Sequence, residues 1–234
     1  MFAPGGPSFV ELMKQALSST DEGYDLLAPK FDHTPFRTPA LLLDAARPFI
    51  AALPLIDRAL DLCCGTGAGM GLLQPFAREV VGIDRSEGMI AHGRATLAAS
   101  SNLRWLRGDA LALPFRSAFD LVTCFGAFGH ILEEDEPRLV EQLHAALRPG
   151  GRFLFFTSDA PSPLSPGFWV AHGFNAAMRV RNRLRKPEFV MYYLTFLLDR
   201  AHALLEAQGF TVEVLETDLP KPLRALKLVV ATKR

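Results

Sequence analysis

The sequence predicts an α/β fold: a mostly parallel sheet with one reversed strand near its edge and helices on both faces. Three observations carry this expectation. Between residues 58 and 157, short apolar segments alternate with helix-length amphipathic ones, the pattern of parallel strands joined by right-handed crossovers. The segment 58–63 is a buried strand that runs directly into glycines. Two final strands, 210–216 and 225–232, are joined by a linker with Pro220 and Pro222 that is too short for a crossover helix, so one of them must run backwards.

The elements follow in order. Residues 1–57 form an N-terminal helical extension. It opens irregularly at 4–7, then predicts a helix over 8–19, an aromatic and polar stretch over 24–38, and a helix over 39–53 that ends near Pro54. Tyr24, Phe31, His33 and Arg37 fall in the 24–38 stretch, which reads as a lid. Residues 58–234 form the main domain. Strands are expected at 58–63, 79–83, 103–107, 119–124 and 152–157, which with the last two makes seven. Helices are expected at 69–78, at 86–99 with Ser86 as its cap, and at 134–147, stopped by Pro149-Gly150-Gly151. Residues 158–196 read as an insertion that caps a substrate site. Its prolines make a loop up to Pro166, and a basic and aromatic stretch follows. A helix over 197–208 ends at Gly209.

Composition bounds the function. The chain has 234 residues, 49% hydrophobic and 21% charged, with a net charge of zero. A full core is expected and disorder is not. No basic excess points to a phosphate backbone, so nucleic acid is not an expected partner. Cys63, Cys64 and Cys124 match no zinc spacing and make no disulfide framework; the expectation is a cytoplasmic protein without metal. Residues 1–10 lack the pattern of a signal peptide. The longest uncharged apolar run, 189–198, falls short of the roughly 20 residues that span a bilayer. A soluble protein is expected, with peripheral lipid contact through 168–196 as its one membrane reading.

The strongest motif is Asp61-Leu62-Cys63-Cys64-Gly65-Thr66-Gly67-Ala68-Gly69, where a strand ends in small residues before a helix. Glycines let backbone approach a ligand closely, and the helix start offers free amides. The dinucleotide fingerprint fails, because Met70 or Leu72 stands where its third glycine would be; no lysine completes a phosphate-binding loop. Nineteen residues after Gly65, Asp84 ends the second strand, where an acid can accept from both ribose hydroxyls.

With these residues on the page, the chain resembles the class I S-adenosylmethionine (SAM)-dependent methyltransferases, whose sheet is Rossmann-like. The resemblance rests on the loop at 60–67, on Val81-Gly82-Ile83-Asp84-Arg85-Ser86-Glu87-Gly88-Met89, on Gly108-Asp109-Ala110 with Leu113-Pro114-Phe115, on Phe119-Asp120-Leu121-Val122, and on Leu147-Arg148-Pro149-Gly150-Gly151. These five motifs span about 55–157 in the family's order. The resemblance implies SAM as cofactor and a set of residues around it: Asp61, Cys63, Gly65 and Gly67 in the loop, Asp84 on the ribose, Arg85 and Met89 beside the adenine, Asp109 and Ala110 toward its amine, and Phe125 beside the methionine part. Cys63 replaces the family's usual first glycine, and its Cβ is expected to keep the backbone there away from positive φ. Buried strand-end packing is the expected role of Cys63-Cys64, ahead of a reactive thiol pair.

The function expected from this resemblance is methyl transfer, by in-line displacement, to a small apolar or aromatic acceptor. Two rivals stand beside it: a catalytically inactive SAM-binding module and a nicotinamide-dependent reductase. A sulfonium methyl is already electrophilic, so catalysis needs chiefly alignment, plus a base where the acceptor is protonated. His130 and His33 are the candidate bases, with Asp159 and His172 behind them.

Overall fold

The computed structural model describes residues 5–234; the first four residues, part of the expected N-terminal extension, lie outside the described ones. Among the described residues, seven strands pair into one sheet: β1 (Ile56–Leu62), β2 (Ala77–Asp84), β3 (Leu103–Arg107), β4 (Phe119–Cys124), β5 (Leu147–Ser158), β6 (Phe210–Leu215) and β7 (Leu226–Lys233). Their order across the sheet is β3-β2-β1-β4-β5-β7-β6. The first five run parallel, and β7 is antiparallel to both β5 and β6. The reversed strand thus lies one place in from the edge. Order reverses at β1, so a crevice opens beyond the carboxyl ends of β1 and β4, the usual ligand position in such sheets.

Among the described residues, eight α-helices surround the sheet: α1 (Phe9–Leu17), α2 (Thr20–Leu27), α3 (Ala40–Ala51), α4 (Ala68–Leu73), α5 (Glu87–Thr96), α6 (Glu136–Ala146), α7 (Pro166–Leu184) and α8 (Leu198–Ala207). The core has two layers, one on each face of the sheet. Phe119, Phe153, Phe155 and Phe210 pack with Leu143 of α6 and Leu205 of α8 on one side. Leu42, Ala46 and Ile50 of α3 pack with Met70 and Leu73 of α4 and with Val80 and Leu228 on the other.

The helix expected over 8–19 is α1, and a second helix, α2, which the sequence reading did not anticipate, follows it directly. Ser19 accepts from the amide of Glu22 at 3.2 Å, while the Glu22 carboxylate accepts from the Ser19 amide at 3.5 Å. This reciprocal cap starts α2. The stretch 24–38 is therefore partly helical: α2 runs through Leu27 and a 3₁₀ turn follows over Ala28–His33. The helix expected over 69–78 ends at Leu73, because Pro75 has no amide to donate, and β2 begins by Ala77. The basic and aromatic stretch forms α7, capped by Ser165, whose hydroxyl accepts from the Phe168 amide.

Candidate active site

The loop after β1 turns three times through the left-handed region. Cys63 has φ 55°, Gly65 φ 52° and Gly67 φ 93°. The expectation that Cys63 avoids positive φ is overturned. Its amide geometry is set by neighbours: Cys64 donates to the Ile83 carbonyl at 3.0 Å, and Gly67 to that of Cys64 at 2.8 Å. A cysteine there carries the strain of a left-handed non-glycine residue, on the order of 1–2 kcal/mol. Gly67 cannot carry a side chain, since a Cβ would lie 2.5 Å from the Trp105 ring. Gly65 differs: a Cβ there would meet nothing within 4 Å, so its backbone faces open space.

Asp84, at the tip of β2, fixes this loop to its neighbour. Its Oδ2 accepts from the Gly65 amide at 2.9 Å and its Oδ1 from the Ser86 amide at 2.9 Å. Each oxygen keeps a second lone pair. Burial raises its pKa despite those bonds. Asp61 sits behind the loop. It is 3% exposed, accepts from the Thr123 hydroxyl at 2.9 Å, and burial pushes its pKa up to about 7.

The crevice is a cavity of about 620 Å³. Cys63, Gly65, Gly67, Asp84, Arg85, Met89, Asp109, Ala110, Phe125 and His130 all line it. Two expected site residues do not. Asp61 props the loop from the protein interior. His33 is exposed, with its ring against Gly5, outside the cavity wall. The lesser candidates are also elsewhere: His172 Nδ1 donates to the Phe168 carbonyl at 2.9 Å, and Asp159 pairs with Lys227 at 3.0 Å. Of the two thiols at the loop, burial pushes both well up, and Cys63 is raised first by its hydrogen bond with Cys124. They are protonated packing groups at neutral pH.

The N-terminal helices close one side of the cavity through polar contacts that local sequence does not announce. Asp25 accepts from the Ser86 hydroxyl at 2.5 Å and the Gly88 amide at 2.9 Å. Asp32 accepts from the Thr66 hydroxyl at 2.7 Å, and Asp21 pairs with Arg85 at 2.9 Å. Tyr24 reaches His130 across 2.8 Å. The opposite nitrogen of His130, Nδ1, lies 2.6 Å from the Val190 carbonyl. A carbonyl only accepts, so Nδ1 carries the proton and Nε2 accepts from the Tyr24 hydroxyl. Burial lowers the His130 pKa below its ordinary 6.5, which keeps the ring neutral at pH 7, and burial raises that of Tyr24. The cavity thus contains a phenol hydrogen-bonded to a neutral imidazole.

Known proteins agree with this architecture. Residues 59–151 match the family model described as a methyltransferase domain. A 2-phytyl-1,4-naphtoquinone methyltransferase of Synechococcus elongatus is 34% identical over 160 residues, 61% of this chain and 64% of that protein. A demethylmenaquinone methyltransferase of Staphylococcus aureus is 34% identical over 109 residues, 45% of this chain and 44% of its own. The chain therefore spans less than two thirds of the length of these curated relatives. Among solved structures, the DhpI-SAM-HEP complex has a TM-score of 0.67 at 18% identity, covering 96% of this chain and 99% of that one. The YcgJ protein of Bacillus subtilis has a TM-score of 0.61 at 19% identity, covering 82% and 97%. At such identities the structures establish a shared fold. Among the described residues, no helix is long and apolar enough to cross a membrane.

Proposed function

We propose that this chain, a class I SAM-dependent methyltransferase in its domain match, motif order and sheet topology, transfers the methyl group of SAM to a small apolar or aromatic acceptor. The carrying observation is the open backbone at Gly65 beside the Asp84 carboxylate, both on the wall of one cavity. That arrangement fits the cofactor. The free lone pairs of Asp84 suit ribose hydroxyls. Met89 offers an apolar surface for adenine, with Asp109 and Ala110 near its amine and Arg85 at its edge. The backbone of Cys63, Gly65 and Gly67, with Phe125, suits the methionine part. Asp61 serves from behind, by holding the loop.

SAM supplies a sulfonium methyl that is electrophilic without further activation. The protein has to orient an acceptor, exclude water and, for a protonated acceptor, remove a proton. Tyr24 and His130 suit the last task. When Tyr24 takes an acceptor hydroxyl proton, its own proton passes to His130 Nε2, 2.8 Å away. The quinone methyltransferases among the relatives support an apolar ring as acceptor, and the three free cysteines suit a reducing cytoplasm.

The test is thermal unfolding with S-adenosylhomocysteine (SAH), with NADH as control. At one hundred times its dissociation constant, SAH should add about 2.7 kcal/mol of stability. No shift with SAH, or a shift with NADH in its place, overturns the reading. Transfer of labelled methyl from SAM to a reduced short-chain naphthoquinone then separates an enzyme from an inactive SAM-binding module, which would show the shift without turnover.

A further inference from the structure

Two helices are turned the wrong way round for a protein surface. In α7, Ala171, Asn175 and Asn182 are buried, and the opposite face holds Trp169, Val170, Val180 and Leu184 at 66%, 71%, 58% and 81% exposure. Gly173, Ala176 and Ala177 fill the gaps between them at helical spacing. The result is an apolar stripe along a helix that is roughly 28 Å long at 1.5 Å per residue. In α1, Gln15 is buried while Phe9, Val10, Met13 and Leu17 are 76%, 62%, 43% and 39% exposed. The two helices are joined at their C-terminal ends. Arg181 donates to the carbonyls of Ala16 and Ser18, at 3.1 and 2.8 Å, and Arg185 to that of Leu17 at 3.3 Å. The exposed Leu17 and Leu184 therefore sit on adjoining helix ends. Exposed apolar area of this extent marks an interaction surface.

Charge identifies the occupant. Between Asp159 and Glu188 the chain carries five cationic residues and no acidic one. Arg179 and Arg183 border the apolar stripe of α7 and, with Lys186 and Tyr192, line a shallow surface depression of about 430 Å³. Glu188 lines it too and pairs with Lys186, while the exposed Arg179 lies over the Tyr192 ring at 5.7 Å and Arg183 is exposed beside it. An apolar stripe bordered by arginines, with a tryptophan near its start, matches the interfacial plane of a bilayer rich in anionic lipid. A second copy of the chain fits less well, since a two-fold contact along α7 brings like charges together with no acid from this segment between them.

We infer that α1 and α7 dock the protein on an anionic membrane surface, so that an apolar acceptor can pass from the bilayer to the cavity. The buried side of α7 supports that route. Asn182 and Asn175 clamp the backbone of Phe189 and Tyr193 by paired hydrogen bonds of 2.8–3.0 Å, and Glu188 and Val190 of the same segment line the cavity wall. The purpose of the docking rests on the acceptor reading above; the docking itself does not.

The experiment is co-sedimentation of the full chain with phosphatidylcholine vesicles, with and without about one third phosphatidylglycerol. The expected result is partitioning onto the anionic vesicles, at least about tenfold weaker on phosphatidylcholine alone and weakened by salt. Val180→Glu with Leu184→Glu should reduce binding about tenfold or more, and Arg183→Ser about fivefold. These side chains are exposed, and circular dichroism verifies the fold of each variant. Failure of the wild type to sediment, or equal binding by the double variant, overturns the proposal. So does a wild-type dimer in solution that the double variant dissociates, which would give the face to self-association. The SAH shift is read separately, so an absent shift with intact vesicle binding removes the methyltransferase reading and leaves the docking surface.

Discussion

Tyr24 and His130 stand 106 positions apart and meet at 2.8 Å. His130 follows β4, where a substrate is expected to approach, so its candidacy was readable from order alone. Its partner was not, because a phenol in an N-terminal helix has no local signature for a contact made by tertiary packing. The proposed relay has a kinetic consequence. Burial lowers the His130 pKa, so the base form persists below pH 6.5, and kcat/KM for a phenolic acceptor should fall only on the acid side of that value. Tyr24→Phe should cut kcat by about one hundredfold, at the lower end of what general acid–base catalysis contributes. A Tyr24→Phe enzyme with the wild-type rate and pH profile would discard the relay. His33 differs: its residue type suggested chemistry, and the structure places it on an exposed turn outside the cavity lining.

At the level of elements, boundaries follow short-range chemistry that is easily underweighted. The Ser19–Glu22 cap starts a second helix directly after the expected one, and Pro75 ends α4 early. Helix α7 shows what periodicity leaves undecided. Its apolar and polar positions alternate at helical spacing, yet the polar Asn175 and Asn182 face inward. They do so because the segment after α7 is irregular, outside any helix or strand, and its amides and carbonyls need partners. Asn182→Ala would leave both the amide and the carbonyl of Phe189 without that partner. The variant should lose about 1–3 kcal/mol of stability in urea unfolding, and the loosened cavity wall should raise the acceptor KM more than it lowers kcat. Unchanged stability would mean that the clamp is replaceable by water.

Across the whole molecule, the sheet couples the site to stability. Asp61, buried where β1 meets β4, has its pKa raised from 3.8 to about 7. Between those values the folded state holds a proton that the unfolded chain has lost. The contribution of Asp61 is therefore fully present below pH 3.8 and is lost as pH rises to 7. His130 acts oppositely: its lowered pKa makes stability fall as pH drops through 6.5. Asp61→Asn does not titrate. Relative to wild type, it should gain a few kcal/mol between about pH 5 and about pH 8 in urea unfolding; a constant difference would show that Asp61 is ionised at both. The sequence by itself determined the α/β class, the reversed strand near the edge, the glycine loop and the acid at the tip of β2. Those features rest on local backbone demands: strand-length apolar runs, a linker too short for a crossover, glycines where the chain turns left-handed. Only the tertiary structure decided that Asp61 lies behind the loop and His33 outside the cavity. It also decided that Tyr24, Asp25 and Asp32 close the site from another part of the chain, and that α7 turns its apolar side outward. Each of these depends on which surfaces meet across long sequence separations, and spacing along the chain does not encode that.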